Sequence, residues 1–251
     1  MKNKLNIVIP MAGRGSRFSE AGYKEPKFLI PIFDKTMIEV VVSNLTPKRE
    51  HKFIFVCQKE HIEKYDLKNK LSKLAENIEI IGICGITEGQ VCTVLNAVDF
   101  INNEEALMTA NCDQYIDFDI DDYLDYMDDK KYDGLIMTMT SKDEKWSYAK
   151  IDTNGIVTET AEKKVISNEA TVGIYNFRHG KYLVNAANKM ILDNIRVNGE
   201  FYTCPVYNYL IQDGYKIGIY NIGEEYNGMF GLGIPKDLEL FLKHPISEKV
   251  K

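Results

Sequence analysis

The feature that most constrains the fold of this chain is an alternation, through its first half, of strand-sized apolar runs with helical patterns. Leu5–Pro10 predicts the first strand, and such alternation is typical of strand-helix-strand units with parallel strands. Further strands are predicted over 52–58, 78–84, 106–112 and 134–140, and helices over 37–44, 60–75, 90–101 and 119–129. The pattern predicts an α/β fold with a doubly wound, mainly parallel (mixed) sheet.

An inserted β-hairpin is predicted where this alternation ends. Between 147 and 162, two alternating runs flank Asn154-Gly155, a dipeptide typical of hairpin turns. Beyond it we expect a strand over 170–177, helices over 182–193 and 202–212, a strand over 216–221 and a helix over 235–242. Because no repeat or long polar linker divides the sequence, residues 1–251 are predicted to form a single domain.

Composition and charge argue against two classes of partner. No apolar run approaches the ~20 residues that span a bilayer, and the apolar stretch at 5–10 is too short for a secretory signal. The net charge of −6, with an acidic run at 117–122, provides no broad basic face for a nucleic acid. We therefore expect a cytoplasmic protein that binds neither membranes nor nucleic acids.

A glycine-containing segment directly follows the first strand. Gly13 and Gly15 allow the backbone to turn tightly and to approach a ligand, so that N–H groups point at phosphate oxygens. Two better-known glycine motifs do not fit, because Phe18 replaces the third glycine of the dinucleotide-binding pattern and the Walker pattern is absent. The segment therefore predicts a loop that binds phosphate groups.

Arg17 follows this loop, and Pro26-Lys27 comes about ten residues later. The combination resembles the Gly-x-Gly-Thr/Ser-Arg and Pro-Lys signature of the nucleotidyltransferases that activate sugar phosphates and related phosphates, which have a Rossmann-like, GT-A-type fold. In that family the loop binds the nucleoside triphosphate, while the arginine and lysine contact its phosphates and the acceptor phosphate. The alternative for the two cations is a pair of solvated surface charges. The resemblance implies catalytic roles for Arg17 and Lys27 and nucleotide binding by Met11, Ala12, Gly13, Gly15 and Ser16.

Asp113 follows the strand predicted over 106–112, at the edge where open α/β sheets bind ligands. It resembles the family aspartate that holds a metal on the triphosphate, and a carboxylate suits Mg²⁺; the alternative is an aspartate that caps the next turn. In the family's closing motif, Gly231 replaces a second metal-binding aspartate. We expect Mg²⁺ to be held by Asp113, phosphates and water, with Asp237 or Glu224 as the other option.

Other segments resemble family contacts to the base and to the acceptor. Gly89 and Gln90 match a glycine and a polar residue placed against the base, although a plain helix start is the alternative. Further matches are to a Glu-Lys-Pro motif, to a Gly-Ile-Tyr strand and to a glutamate of the acceptor pocket; an ordinary strand glycine and a helix-start carboxylate are the alternatives for the last two. These acceptor-binding candidates are Glu162, Lys163, Gly173 and Glu200.

Together the resemblances imply a nucleotidyltransferase that uses Mg²⁺, joins a nucleoside monophosphate to a small phosphorylated acceptor and releases pyrophosphate. Phe18, Tyr23 and the changed closing motif also resemble cytidylyltransferases of capsular polysaccharide pathways, including one that acts on phosphoglutamine. CTP is therefore the expected donor, and phosphoglutamine or another phosphate the acceptor. The alternatives are a sugar-1-phosphate thymidylyl- or uridylyltransferase, a glycosyltransferase that uses a nucleotide-sugar, and a catalytically silent nucleotide-binding domain. The sequence leaves open whether the protein forms a homo-oligomer.

Overall fold

The computed structural model describes residues 4–251. Its strands are β1 Leu5–Pro10, β2 Pro31–Ile32, β3 Lys35–Thr36, β4 His51–Gln58, β5 Ile78–Ile83, β6 Ala106–Ala110, β7 Gln114–Ile116, β8 Gly134–Thr140, β9 Ser147–Ile151, β10 Val157–Glu162, β11 Glu169–Phe177, β12 Ile217–Glu225 and β13 Gly228–Gly231. Its helices are α1 Ser16–Glu20, α2 Met37–Leu45, α3 Lys59–Lys64, α4 Leu67–Leu71, α5 Gln90–Leu95, α6 Val98–Ile101, α7 Ile120–Lys130, α8 Gly180–Leu192, α9 Val206–Gln212 and α10 Pro235–Lys243, with 3₁₀ turns at Lys27–Leu29 and Pro245–Val250. No helix within residues 4–251 has the length and apolar character to cross a membrane.

Eleven strands form one mixed sheet in the order β5-β4-β1-β6-β11-β8-β12-β13-β7, with the β9-β10 hairpin attached through β11. The strands β5, β4, β1 and β6 are parallel neighbours. β11 is antiparallel to both β6 and β8, and β7 is antiparallel to β13. The predicted α/β fold with a mainly parallel, mixed sheet is confirmed.

The two faces of the sheet bury separate apolar cores because successive strand residues point to opposite sides. In β1, Ile7 packs with residues of α2 and α7, whereas its neighbour Val8 packs with residues of α5, α8 and α9. Both side chains are fully buried, and each such burial contributes roughly 1.5–3 kcal/mol. Helices therefore cover both faces of the sheet, and the ends of the strands are the part that the helices leave uncovered.

Three of the predicted helices differ clearly from the observed ones. The helix expected over 60–75 is two short helices, because Asp66 adopts a left-handed conformation with φ 50° between α3 and α4. The helix over 90–101 is likewise divided, into α5 and α6. The helix expected over 202–212 begins only at Val206, after Pro205. The hairpin was predicted correctly: β9 and β10 pair antiparallel, with Gly155 at φ 78° in the turn.

Candidate active site

The carboxyl ends of β1 and β6 open into a cleft of about 480 Å³. Since these strands are parallel neighbours, the loop after β1 and the segment after β6 meet at one edge of the sheet. Residues from the β9-β10 hairpin and from β11 also line the cleft. The cleft brings together many of the residues singled out in the sequence, namely Gly15, Ser16, Arg17, Lys27, Gln90, Asp113, Glu162, Lys163 and Gly173.

Five other predicted residues lie outside this cleft. The Met11 side chain is buried in the core against the α2 face of the sheet. Ala12 and Gly13 line a second cavity of about 530 Å³, so successive residues of the glycine loop border two different cavities. Glu200 is exposed and forms a backbone bridge with Val197.

Gly89, the remaining predicted residue outside the cleft, is required by a close backbone approach. Its φ is 135°, and a Cβ there would lie 2.4 Å from the carbonyl oxygen of Phe201. The amide of Val91 donates to that same oxygen. The glycine therefore lets the segment before α5 pack against the backbone of Phe201. This contact places the following residue, Tyr202, at the cleft.

Lys27 and Asp113 form an ion pair in the cleft, with the lysine Nζ 2.7 Å from the aspartate Oδ2. About a quarter of the Lys27 side chain is exposed. Burial would lower the pKa of this ammonium, but the adjacent Asp113 carboxylate more than offsets burial, and the pKa is raised above its ordinary value. Lys27 therefore remains charged over the whole physiological range of pH.

The backbone beside Asp113 comes from the segment after β13. The amide of Leu232 donates to the Asp113 carbonyl oxygen at 2.8 Å. A Cβ on Gly233 would lie 2.3 Å from Asp113 Oδ2, so a larger residue there would displace the Asp113 carboxylate. The predicted closing motif thus does meet the predicted metal ligand in space.

The donors at Asp113 suit a Mg²⁺ ion held jointly with phosphates. The Oδ2 atom of Asp113 accepts a hydrogen bond from Lys27, whereas its Oδ1 atom accepts none from the residues that the structure describes. Within residues 4–251 no three His, Cys, Asp or Glu side chains cluster as an all-protein metal site. Mg²⁺ commonly uses only one or two carboxylates and completes its coordination with phosphate and water oxygens. Asp237 does lie near Gly231, with Oδ2 3.6 Å from the position of an added Cβ, but its Oδ1 accepts a hydrogen bond from Tyr226.

Gln90 belongs to a chain of side-chain hydrogen bonds along the floor of the cleft. Its Oε1 accepts a hydrogen bond from Thr203, and its Nε2 donates to Asn111 Oδ1 at 2.6 Å. Asn111 in turn packs on Gly173, where φ is 79° and an added Cβ would lie 2.0 Å from Asn111 Nδ2. Gln90 and Gly173 therefore both position Asn111, two residues before Asp113.

The part of the cleft at the end of β10 contains Glu162 and Lys163. The Ser147 hydroxyl donates to Glu162 Oε2, and burial raises the pKa of this carboxyl although Ser147 and Lys163 oppose the shift. The Lys163 ammonium donates to the Tyr202 hydroxyl at 3.0 Å and lies 4.9 Å from the centre of that ring. This end thus offers one carboxylate and one ammonium, each held by a neighbouring side chain.

Residues 7–197 match the family described as Nucleotidyl transferase. The chain belongs to this nucleotidyl transferase family. Among curated proteins it is 23% identical over 255 residues to the bifunctional protein GlmU of Thermodesulfovibrio yellowstonii, covering 96% of this chain and 52% of that protein. It is 26% identical over 176 residues to GlmU of Methanocaldococcus jannaschii, covering 69% of this chain and 40% of that protein. The chain spans about half the length of the first of these relatives.

Solved structures share the fold of this nucleotidyl transferase over nearly its whole length. The nucleoside-diphosphate-sugar pyrophosphorylase of Vibrio cholerae superposes with a TM-score of 0.81 and 25% identity, covering 94% of this chain and 99% of that one. The inositol-1-phosphate CTP transferase of T. maritima superposes with a TM-score of 0.74, covering 97% of this chain and 93% of that one. At 12% identity, the second likeness concerns the fold alone.

Several cleft residues of this nucleotidyl transferase were not singled out in the sequence. They are Lys145, Trp146, Ser147 and Tyr202, which all line the cleft. Ser147 lies in an alternating strand pattern, and Tyr202 was assigned to a helix that in fact starts later. Neither Ser147 nor Tyr202 is marked by a pattern in the sequence around it, because its place in the cleft depends on a hydrogen bond, between Ser147 and Glu162 in one case and between Tyr202 and Lys163 in the other.

Proposed function

We propose that this chain transfers a nucleoside monophosphate from a nucleoside triphosphate to a small phosphorylated acceptor, with residues 1–251 acting as one domain. An acceptor phosphate oxygen bonds to the α-phosphorus, the bond from that phosphorus to the bridging oxygen of the β-phosphate breaks, and pyrophosphate leaves. The observation that carries the proposal is the cleft itself. It brings Arg17, Lys27 and Asp113 together with Glu162 and Lys163, and the chain is a member of the nucleotidyl transferase family.

In this proposal the protein positions two polyanions and stabilises the charge that develops between them. Gly15 and Ser16 place backbone N–H groups beside the phosphates, and Arg17 and Lys27 supply positive charge. The segment Gly89–Gln90 completes the nucleotide side. Mg²⁺, held by Asp113 and the phosphates, would neutralise phosphate charge. No side chain has to act as a covalent nucleophile.

The proposed acceptor side consists of Glu162, Lys163 and Gly173, with Glu200 next to Tyr202 at its rim. The Lys163 ammonium suits an acceptor phosphate or carboxylate, and Glu162 suits groups that donate hydrogen bonds. Both features fit a sugar phosphate and also phosphoglutamine.

CTP is the proposed donor, and synthesis of a capsule or surface polysaccharide precursor is the proposed setting. Support comes from the resemblance carried by Phe18 and Tyr23, whose rings pack edge to face with centroids 5.2 Å apart. The second candidate is a sugar-1-phosphate thymidylyl- or uridylyltransferase. Its sugar-phosphate acceptor is favoured by the 25% identity to the nucleoside-diphosphate-sugar pyrophosphorylase of Vibrio cholerae.

The test is pyrophosphate release in the presence of Mg²⁺. CTP, UTP, dTTP, GTP and ATP are each offered with sugar 1-phosphates, phosphocholine and phosphoglutamine. Release that requires one nucleotide and one acceptor together supports the transferase and identifies both substrates. Nucleotide binding without release for any pair would favour a silent nucleotide-binding domain, for which the glycine at position 231 is the structural argument.

A further inference from the structure

Gln58 connects two segments that border the second cavity. It is the last residue of β4, and it is 9% exposed. Its Nε2 donates to the carbonyl oxygen of Ala12 at 2.7 Å and to that of Gly85 at 2.8 Å. One side-chain amide therefore ties the glycine loop to the segment that follows β5.

These two bonds determine the orientation of the Gln58 amide. Only the NH₂ group of a glutamine can donate, and both of its hydrogens are directed at carbonyl oxygens that cannot donate in return. An amide rotated by 180° would place Oε1 against those oxygens. Oε1 is therefore the polar atom that remains for a ligand, and it accepts no hydrogen bond from residues 4–251.

The second cavity differs chemically from the cleft. Loop residues Gly15–Arg17 face the charged cleft, whereas Ala12, Gly13 and Arg14 face the second cavity. Beside Gln58 the cavity has an apolar side formed by Ile83 and Ile86, of which Ile86 is 55% exposed. Its remaining side chains include Arg14, Lys59, Glu60 and His61. A triphosphate bound in the cleft along this loop would leave its nucleoside end in the second cavity, next to Gln58 and the two isoleucines.

We propose that Gln58 Oε1 accepts a hydrogen bond from the edge of the nucleobase, which makes Gln58 a residue that determines nucleotide specificity. This inference rests on the proposed nucleotidyl transfer. When the donor is CTP, the base donates through its exocyclic amino group. Gln90, in contrast, already has both ends of its amide engaged, with Thr203 and Asn111.

The experiment measures dissociation constants by calorimetry, with Mg²⁺ and without acceptor. The probes are CTP and the triphosphate of pyrimidin-2-one ribonucleoside, which lacks the exocyclic amino group. One hydrogen bond predicts that the wild type binds CTP about 5- to 10-fold more tightly. In Gln58→Met this preference falls to within about 2-fold, because the acceptor is lost. If the wild type prefers UTP, the pair is UTP and its N3-methyl analogue.

Two further variants separate recognition of the base from the loss of the two backbone bonds. Gln58→Glu keeps an acceptor oxygen, so we expect weaker binding of both probes with the preference retained. Asn44→Ala removes a comparable pair of side-chain bonds to the backbone of Ile116, away from both cavities, and should leave the preference unchanged. An equal preference in the wild type and Gln58→Met, or none in the wild type, overturns the inference while the proposed function stands. Failure of the wild type to bind any nucleoside triphosphate overturns both.

Discussion

The ammonium of Lys27 and the carboxylate of Asp113 lie 2.7 Å apart, although they are 86 positions apart in the chain. Each compensates the charge of the other in a partly buried place, since Asp113 keeps the pKa of Lys27 raised against the effect of burial. In the proposed reaction both groups act on phosphates. The ion pair therefore holds two groups close to their working positions before any substrate binds, which is how a preorganised site lowers the cost of reaction.

Replacing Lys27 tests the proposed role of its charge. We expect Lys27→Ala to lower the turnover number on the order of 10²-fold or more, because one preorganised positive charge is removed from the reacting phosphates. Steady-state pyrophosphate release measures the effect. Lys64→Ala, which removes an exposed lysine outside the cleft, is the matched control and should behave like the wild type. An unchanged rate in Lys27→Ala would remove this residue from the mechanism.

Asp113→Asn tests the predicted metal ligand. The amide keeps the size of the side chain but loses its charge, so we expect most activity to be lost and the residual rate to stop responding to Mg²⁺ in the working range. Titration of Mg²⁺ into the enzyme with bound nucleotide, followed by calorimetry, reports the loss of metal binding directly. Asp237→Asn is the control, because its carboxylate is the nearest to Gly231. If Asp237→Asn loses the metal response and Asp113→Asn keeps it, the assignment is reversed.

The strands could be predicted from the sequence where the signal is local. Leu5–Pro10 is a strand as predicted, and Asn154-Gly155 forms the expected hairpin turn. Strands β7 and β13 were missed because each has four residues or fewer and is defined by its partner rather than by its own pattern. The break at Asp66 was also missed, since nothing in an amphipathic pattern indicates that one residue adopts a left-handed conformation.

The residues of the candidate site, too, could be predicted only where a local motif marks them. Gly15, Arg17, Lys27 and Asp113 were found because they belong to a motif, and the structure brings them into one cleft. Gln58 carries no such signal, because a polar residue at the end of an apolar strand is common. Its significance comes from bonds to Ala12 and Gly85, which are 46 and 27 positions away in the chain. Contacts of that range cannot be inferred from one sequence.

Gly173→Ala tests the requirement for a glycine under Asn111. The strand pairing shifts register between Thr171 and Tyr175, and Gly173 adopts φ 79° within that irregularity. An added methyl group would meet the Asn111 amide. Gly155→Ala is a close control, since Gly155 has φ 78° but no atom of residues 4–251 within 4 Å of an added Cβ.

We expect Gly155→Ala to cost roughly 1–2 kcal/mol in the free energy of unfolding, the usual cost of a left-handed alanine. Gly173→Ala should cost more, because the same backbone strain is combined with a clash, and it should also lower the turnover number. Urea unfolding and pyrophosphate release measure the two effects. Equal losses of stability in the two variants would show that the contact with Asn111 has no energetic weight.

The pH dependence of acceptor use tests the role of Glu162. Burial raises the pKa of its carboxyl above the ordinary glutamate value, and the hydroxyl of Ser147 opposes that shift by donating to the ionised form. If the ionised form binds the acceptor, kcat/KM for the acceptor is constant at high pH and falls as the pH drops through this raised pKa. In Ser147→Ala the ionised form loses a hydrogen bond, so the midpoint of the fall moves to higher pH.

Glu162→Gln should have a low kcat/KM with no such midpoint, because the group that titrates is gone. Thr158→Ala removes a hydroxyl of the same hairpin that bonds only to the backbone of Lys150, and should keep the wild-type profile. A midpoint that stays in place in both Ser147→Ala and Glu162→Gln would mean that another group titrates, and Glu162 would lose its proposed part in acceptor binding.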